Sequence, residues 1–461
     1  PLTLFFKLMA DTIGLSEWRM RMLPWIGGLA TVLVVPYLLR PWLKSYEPWI
    51  AGLLIAISPL LIHFSRYARP YGLTVPLAFA AVIALWRWWH DRDRRWLVLF
   101  VPATVLAAWL HPLTLMFTGG ALLWFGLASL KDLLRDRNMA GLMRVVPVGL
   151  LTVALTSALV LPPLLADPSS MAAKTGVHQI EWETVIWGWE LSVGTAHWGM
   201  ASLMLVFAVV GGVTFFKRDR YFAGYWLFLL ALACATLVAL NPAWVHHALV
   251  PVRYMSPLLP VLLTLIAIGF WTILRWVNQF SLRPLTGPIT VLALSLWIAG
   301  LIGSGPLIET YGSLNQFAAA QRYHFDYDFD DNAYVKALEG VELPAIYERM
   351  AEEPGEWWLI EAPWNFASHS THLVGFQRKH QMPMKVGMMS GLCTNWSAGE
   401  VPYQSTETTW LFDGFLHLAD LPQAQSDKNR FLVLNRQSIY ENIPVDDAMD
   451  SCVAQLSMRL G

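Results

Sequence analysis

About ten apolar segments, each close to the thickness of a bilayer, run along the first two thirds of the chain, and residues 305–461 return to the pattern of a water-soluble domain. The segments are 22–40, 49–64, 70–89, 96–110, 112–130, 145–165, 199–216, 221–240, 257–274 and 286–304. A spanning helix needs about 20 predominantly apolar residues, and several of these segments are short, so tilt or tight packing is expected. The expected fold class is an α-helical polytopic membrane domain over 1–304, followed by a small extracytoplasmic α/β domain over 305–461. In that head, 332–353 reads as a helix stopped by Pro354-Gly355, and 356–362 and 430–436 read as short strands.

Composition agrees with the pattern: 56% of residues are hydrophobic, only 14% are charged and 24 are Trp, with a mean hydropathy of +0.45. Such a balance is far from that of a soluble domain. The formal net charge of -1 and the lack of a Lys/Arg-rich run exclude nucleic acid as a partner.

Charge does set an orientation. One set of alternate loops carries 15 Lys and Arg, from Arg40 and Lys44 through Arg87–Arg95, Lys131–Arg144 and Lys217–Arg220 to Arg275 and Arg283. The other set carries four, namely Arg66, Arg69, Lys174 and Arg253. The positive-inside rule makes the basic set cytoplasmic, and places the head and residue 1 outside, in a cytoplasmic (inner) membrane. Pro1 opens the chain without an initiator Met, so at least one further span is expected upstream. Cys393 and Cys452 fall in the head on the oxidising side and form a candidate disulfide.

The chemistry collects at the outer face. His63-Phe64-Ser65-Arg66-Tyr67-Ala68-Arg69-Pro70-Tyr71 brings two guanidinium groups and two phenols to one interface, and Arg253-Tyr254 repeats the pairing. Guanidinium and phenol donors suit a phosphate, and positive charge on this side runs against the topology bias and so needs another reason. His111 ends the fourth segment before Pro112 and should face the same cavity; Lys174 lies in the longest outer loop, 166–198, whose Trp-rich part reads as an interfacial helix. In the head, His369 and His372 lack a further ligand at metal spacing, so they read as surface histidines. The aromatic and acidic run Tyr323–Asp331 reads as a solvated linker.

The order of Glu17–Pro24, Ser58-Pro59, Ser65–Tyr71, Leu110-His111 and Arg253–Pro260 resembles the C-type fold membrane glycosyltransferases, in particular bacterial members of the protein-mannosyltransferase and aminoarabinose-transferase superfamily. The resemblance covers nearly all of the membrane part, whereas the head matches only in position. It implies transfer of a sugar from a polyprenyl-phosphate carrier, a membrane lipid, to an acceptor lipid, glycan or protein at the outer face. It places Arg69 and Tyr71, and then Arg253 and Tyr254, near the donor phosphate, with Arg66, His111 and Lys174 behind them. The family's acidic base belongs to a loop before the first visible segment, so no catalytic residue is assigned here; Arg21 reads as an interface anchor. No cofactor is implied with certainty, although some relatives use a divalent cation. A transporter or flippase for a lipid-linked saccharide is the alternative reading, for which the sequence offers no internal repeat.

Overall fold

The computed structural model describes residues 2–14, 16–166, 179–242, 245–246, 248–278, 286–309, 345–352, 358–362 and 429–434. The chain divides into two compact units, Pro1–Asp326 and Tyr327–Gly461.

The first unit is helical: α1 (Leu2–Ile13), α2 (Glu17–Leu39), α3 (Glu47–Ala56), α4 (Pro59–Arg66), α5 (Tyr71–Asp91), α6 (Arg95–Leu110), α7 (Leu115–Asp136), α8 (Ala140–Ala166), α9 (Trp182–Val193), α10 (Trp198–Arg218), α11 (Arg220–Leu240), α12 (Leu249–Met255), α13 (Leu259–Asn278) and α14 (Thr286–Gly303). All ten apolar segments of the sequence are therefore helical. Among the described residues, seven helical stretches are long and apolar enough to cross a membrane, which makes the chain a multi-pass membrane protein.

Two corrections follow. The segment 49–64 is not one straight span: α3 and α4 meet at a 53° bend, and counting that pair as one raises the total to eight. The bend falls where Ser58 precedes Pro59, because a residue before proline is driven out of the α region, here to φ −66° and ψ 116°. The expected ten is also reduced because α6, at 16 residues, is about 24 Å long against a hydrocarbon core of about 30 Å. The last segment, like α6, is short, with an apolar stretch of Thr290–Gly303.

The core is built around two spans. Those over Tyr71–Asp91 and Leu249–Val277 are each 78% buried, whereas Ala140–Pro162 is 22% buried and lies at the edge of the bundle. Close approach of helices comes from small residues, as it must where lipid gives no hydrophobic drive between them. A methyl group at Gly211 of α10 would collide with the Leu265 carbonyl oxygen of α13, and one at Gly269 with that of Phe207. Several interior hydroxyls donate within their own helix: Thr31 to Gly27 O (2.9 Å), Thr152 to Val148 O (2.7 Å) and Thr264 to Pro260 O (2.7 Å). The fully buried Tyr225 donates across helices to Val82 O at 3.0 Å.

At the end of the bundle formed by residues 40–47, 87–95 and 217–220, charge also holds the fold. The Arg218 guanidinium donates to both oxygens of Glu47 at 2.6 Å and to Trp42 O at 3.1 Å. Trp42 donates to Asp219 (3.0 Å) and stacks on Phe222 with ring centroids 3.8 Å apart. Arg218 thus has a structural role beyond the topological one that charge bias implies for this end.

In the second unit, helix α15 (Ala345–Glu352) buries Tyr347 and Met350, and strands β1 (Trp358–Ala362) and β2 (Asn429–Leu434) pair in parallel. The expected helix is thus seen over its last turns; 332–344, and the candidate pair Cys393 and Cys452, lie outside the described residues.

Candidate functional site

The described candidate side chains sit at or beside breaks between helices. Past the break at Ser58, α4 carries His63, Phe64 and Arg66 to its end, and Tyr67 is already extended at ψ 127°. A turn closed by the Arg69 N–H on Tyr67 O (2.6 Å) leads to Pro70, after which Tyr71 opens α5. His111 ends α6 in an extended conformation (φ −155°, ψ 108°), since Pro112 follows it. Arg253 and Tyr254 occupy the last turn of α12, before Ser256-Pro257 interrupts the helix. Antiparallel helices bring all of these stops to one end of the bundle, opposite to the Glu47–Arg218 pair.

There, four of the sequence candidates converge. The Tyr71 ring centroid lies 5.6 Å from that of His111, and His111 lies 5.3 Å from Tyr254. The Arg253 guanidinium closes the group: it is 4.8 Å from the Tyr254 ring and 5.8 Å from the Tyr71 ring, and its Nη2 donates to the Tyr254 hydroxyl at 2.9 Å. Its Nε is buried and has no hydrogen-bond partner among the described residues. A guanidinium held among aromatic faces has its fork oriented, which is what binding of an oxyanion asks of it.

Two of the remaining candidates, Arg66 and Arg69, lie at the end of α4 and in the turn that leads directly into Tyr71. Arg69 is exposed and packs over Tyr67 at 5.7 Å, and Arg66 ends α4, half-buried. Lys174 lies outside the described residues. Two partners escaped the sequence reading: Phe64, whose ring is 5.2 Å from Tyr71, and His63, stacked on Tyr67 at 5.3 Å. Both belong to the same stretch, His63–Tyr71, as Arg66, Arg69 and Tyr71. Among the described residues, no three of His, Cys, Asp and Glu converge as a metal site would require.

An apolar groove of about 860 Å3 lies on the other side of α12. Pro251, Val252 and Met255 face it, along with residues of α9, α10, α11 and α13, while Arg253 and Tyr254 turn to Tyr71 and His111. The expected helix in the 166–198 loop is present as α9, and it walls this groove with Thr184, Gly188 and Ser192. No family model matches the chain, and no curated protein matches it either.

Proposed function

We propose that the protein transfers a sugar from a polyprenyl-phosphate carrier to an acceptor at the face where Tyr71, His111, Arg253 and Tyr254 meet. The observation that carries this reading is the Arg253 guanidinium, held by Tyr254 and bordered by Tyr71 at a membrane interface. As the acceptor hydroxyl attacks C1 of the sugar, the C1–O bond to the phosphate breaks, the acceptor proton leaves to a base, and negative charge gathers on the departing polyprenyl phosphate. Preorganised donors at that phosphate stabilise the transition state more than the ground state. Arg69, exposed one turn away, supplies a second cation to the incoming donor.

The reading includes an orientation. In the sequence, one set of alternate loops carries 15 Lys and Arg and the other four, a bias that supports an outside orientation for the Arg253 end, and for the head, at a cytoplasmic membrane. The head is then a small α/β domain beyond the last span.

The bend between α3 and α4 is the feature that favours a second reading, a transporter or flippase for a lipid-linked saccharide, since broken spans are the usual way such proteins build a path. One experiment separates the two. Membranes carrying the full-length chain receive a panel of radiolabelled polyprenyl-phosphate sugars, alongside Arg253→Ala and Arg69→Ala. Label passing to an acceptor in the parent and not in Arg253→Ala supports transfer; label that crosses the bilayer still attached to its carrier sinks it.

A further inference from the structure

The groove beside α12 asks for an occupant that the Arg253 cluster does not explain. Along α11 its walls run from Ala223 to Val238, about 22 Å at 1.5 Å per residue, longer than the roughly 15 Å of one leaflet's hydrocarbon. Its polar groups near α9 are spent within the protein: Thr184 donates to His246 O at 2.8 Å, and Ser192 to Gly188 O at 2.7 Å.

The opposite end differs. Lys217 is the single charged residue among those that line the groove, and it sits at the end of α10 farthest from Arg253. Its neighbours are committed, Arg218 to Glu47 and Asp219 to Trp42 and the Phe222 N–H. Lys217 itself is exposed and has no hydrogen-bond or ion-pair partner among the described residues. An apolar slot that ends on one uncommitted ammonium complements a long hydrocarbon chain that ends on an anion.

We infer that this groove is a binding site for an anionic glycerophospholipid, with an acyl chain along α11 and the phosphate paired to Lys217. The lipid belongs to the leaflet opposite the Arg253 cluster. A basic side chain at the mouth of a slot between spans is a recurrent way to select acidic headgroups. The inference is independent of the sugar-transfer reading, because the groove and the cluster lie on opposite faces of α12.

The test is native mass spectrometry of the purified full-length chain after addition of phosphatidylglycerol or, separately, phosphatidylcholine. The parent should retain one phosphatidylglycerol and less phosphatidylcholine. Lys217→Gln should lower phosphatidylglycerol retention about fivefold, to the level of phosphatidylcholine. Arg220→Gln, an exposed charge at the start of α11 that does not line the groove, should leave it unchanged. Gly212→Leu fills the groove from a position where a Cβ meets nothing within 4 Å, so it should abolish retention of both lipids in a chain that still folds. Equal retention of the two lipids by the parent, or retention untouched by Lys217→Gln, would overturn the inference. So would a dimer mass that Gly212→Leu converts to monomer, since a second copy would then be the occupant. No sugar donor enters the experiment, so its failure and that of the transfer reading are separate outcomes.

Discussion

Glu47 and Arg218, 171 positions apart in sequence, meet as a two-pronged ion pair at 2.6 Å, with the carboxylate fully enclosed by the protein. An enclosed charge is tolerated only while its partner and its hydrogen bonds are in place, and here the Lys44 N–H adds a third donor at 2.8 Å. Removing one member should therefore hurt more than removing both. Arg218→Ala should cost about 3–5 kcal/mol, read as a fall in the melting temperature of the detergent-solubilised chain. Glu47→Leu with Arg218→Met should recover most of that loss. A double variant as unstable as the single one would show that shape, rather than charge, is what matters at this contact.

The glycine contacts between α10 and α13 make a sharper prediction about packing. Gly211→Ala and Gly269→Ala place a methyl group against a carbonyl oxygen of the facing helix, and backbone gives way less readily than a side chain. Each should destabilise by about 1–3 kcal/mol. Gly149→Ala is the control: it lies in α8, where a Cβ meets nothing within 4 Å, and the change removes a poor helix former. It should leave the melting temperature unchanged or raise it slightly.

At the Arg253 cluster, chemistry rather than stability is at stake. Arg253→Lys keeps the charge and loses the fork, so under the transfer reading it should reduce turnover about 100-fold, as loss of a preorganised donor does. Tyr254→Phe keeps the ring beside His111 and removes the acceptor that holds Arg253 Nη2. It should lower turnover less than Arg253→Lys, with the melting temperature preserved. Equal turnover in Arg253→Lys and the parent would mean that the guanidinium geometry has no role.

How much of this could be read from the chain differs from one feature to the next. Every apolar segment is a helix because burial pattern and backbone satisfaction both act locally and both leave their mark in consecutive residues. Ser58-Pro59 carried the signal for the bend, yet apolar residues on both sides hid it, since hydropathy averages over a break that a dihedral angle does not. The link between Arg253 and Tyr254 is one residue long and was visible; their meeting with Tyr71 and His111 depends on three separate helix stops and was suggested only by shared sidedness. Glu47–Arg218 and the groove left no trace in any window, because each is made by helices far apart in sequence.

Gly72 connects packing to the site. It follows Tyr71 at the start of α5, and a Cβ there would lie 2.7 Å from Pro24 O of α2 and 2.8 Å from Phe64 O of α4. Both neighbours are backbone, so Gly72→Ala must push the start of α5 away from two helices at once. Tyr71, one residue earlier, moves with it and loses its place against His111 and Arg253. Turnover should then fall by at least as much as in Tyr71→Phe, although no side chain of the cluster has been altered. Gly119→Ala, in a helix but in open space, separates this effect from a general cost of alanine and should be neutral. Measured together with melting temperature, a Gly72→Ala chain that folds but turns over slowly would assign the close contact to positioning of Tyr71. A chain that turns over normally would show that α5 can shift without disturbing the cluster.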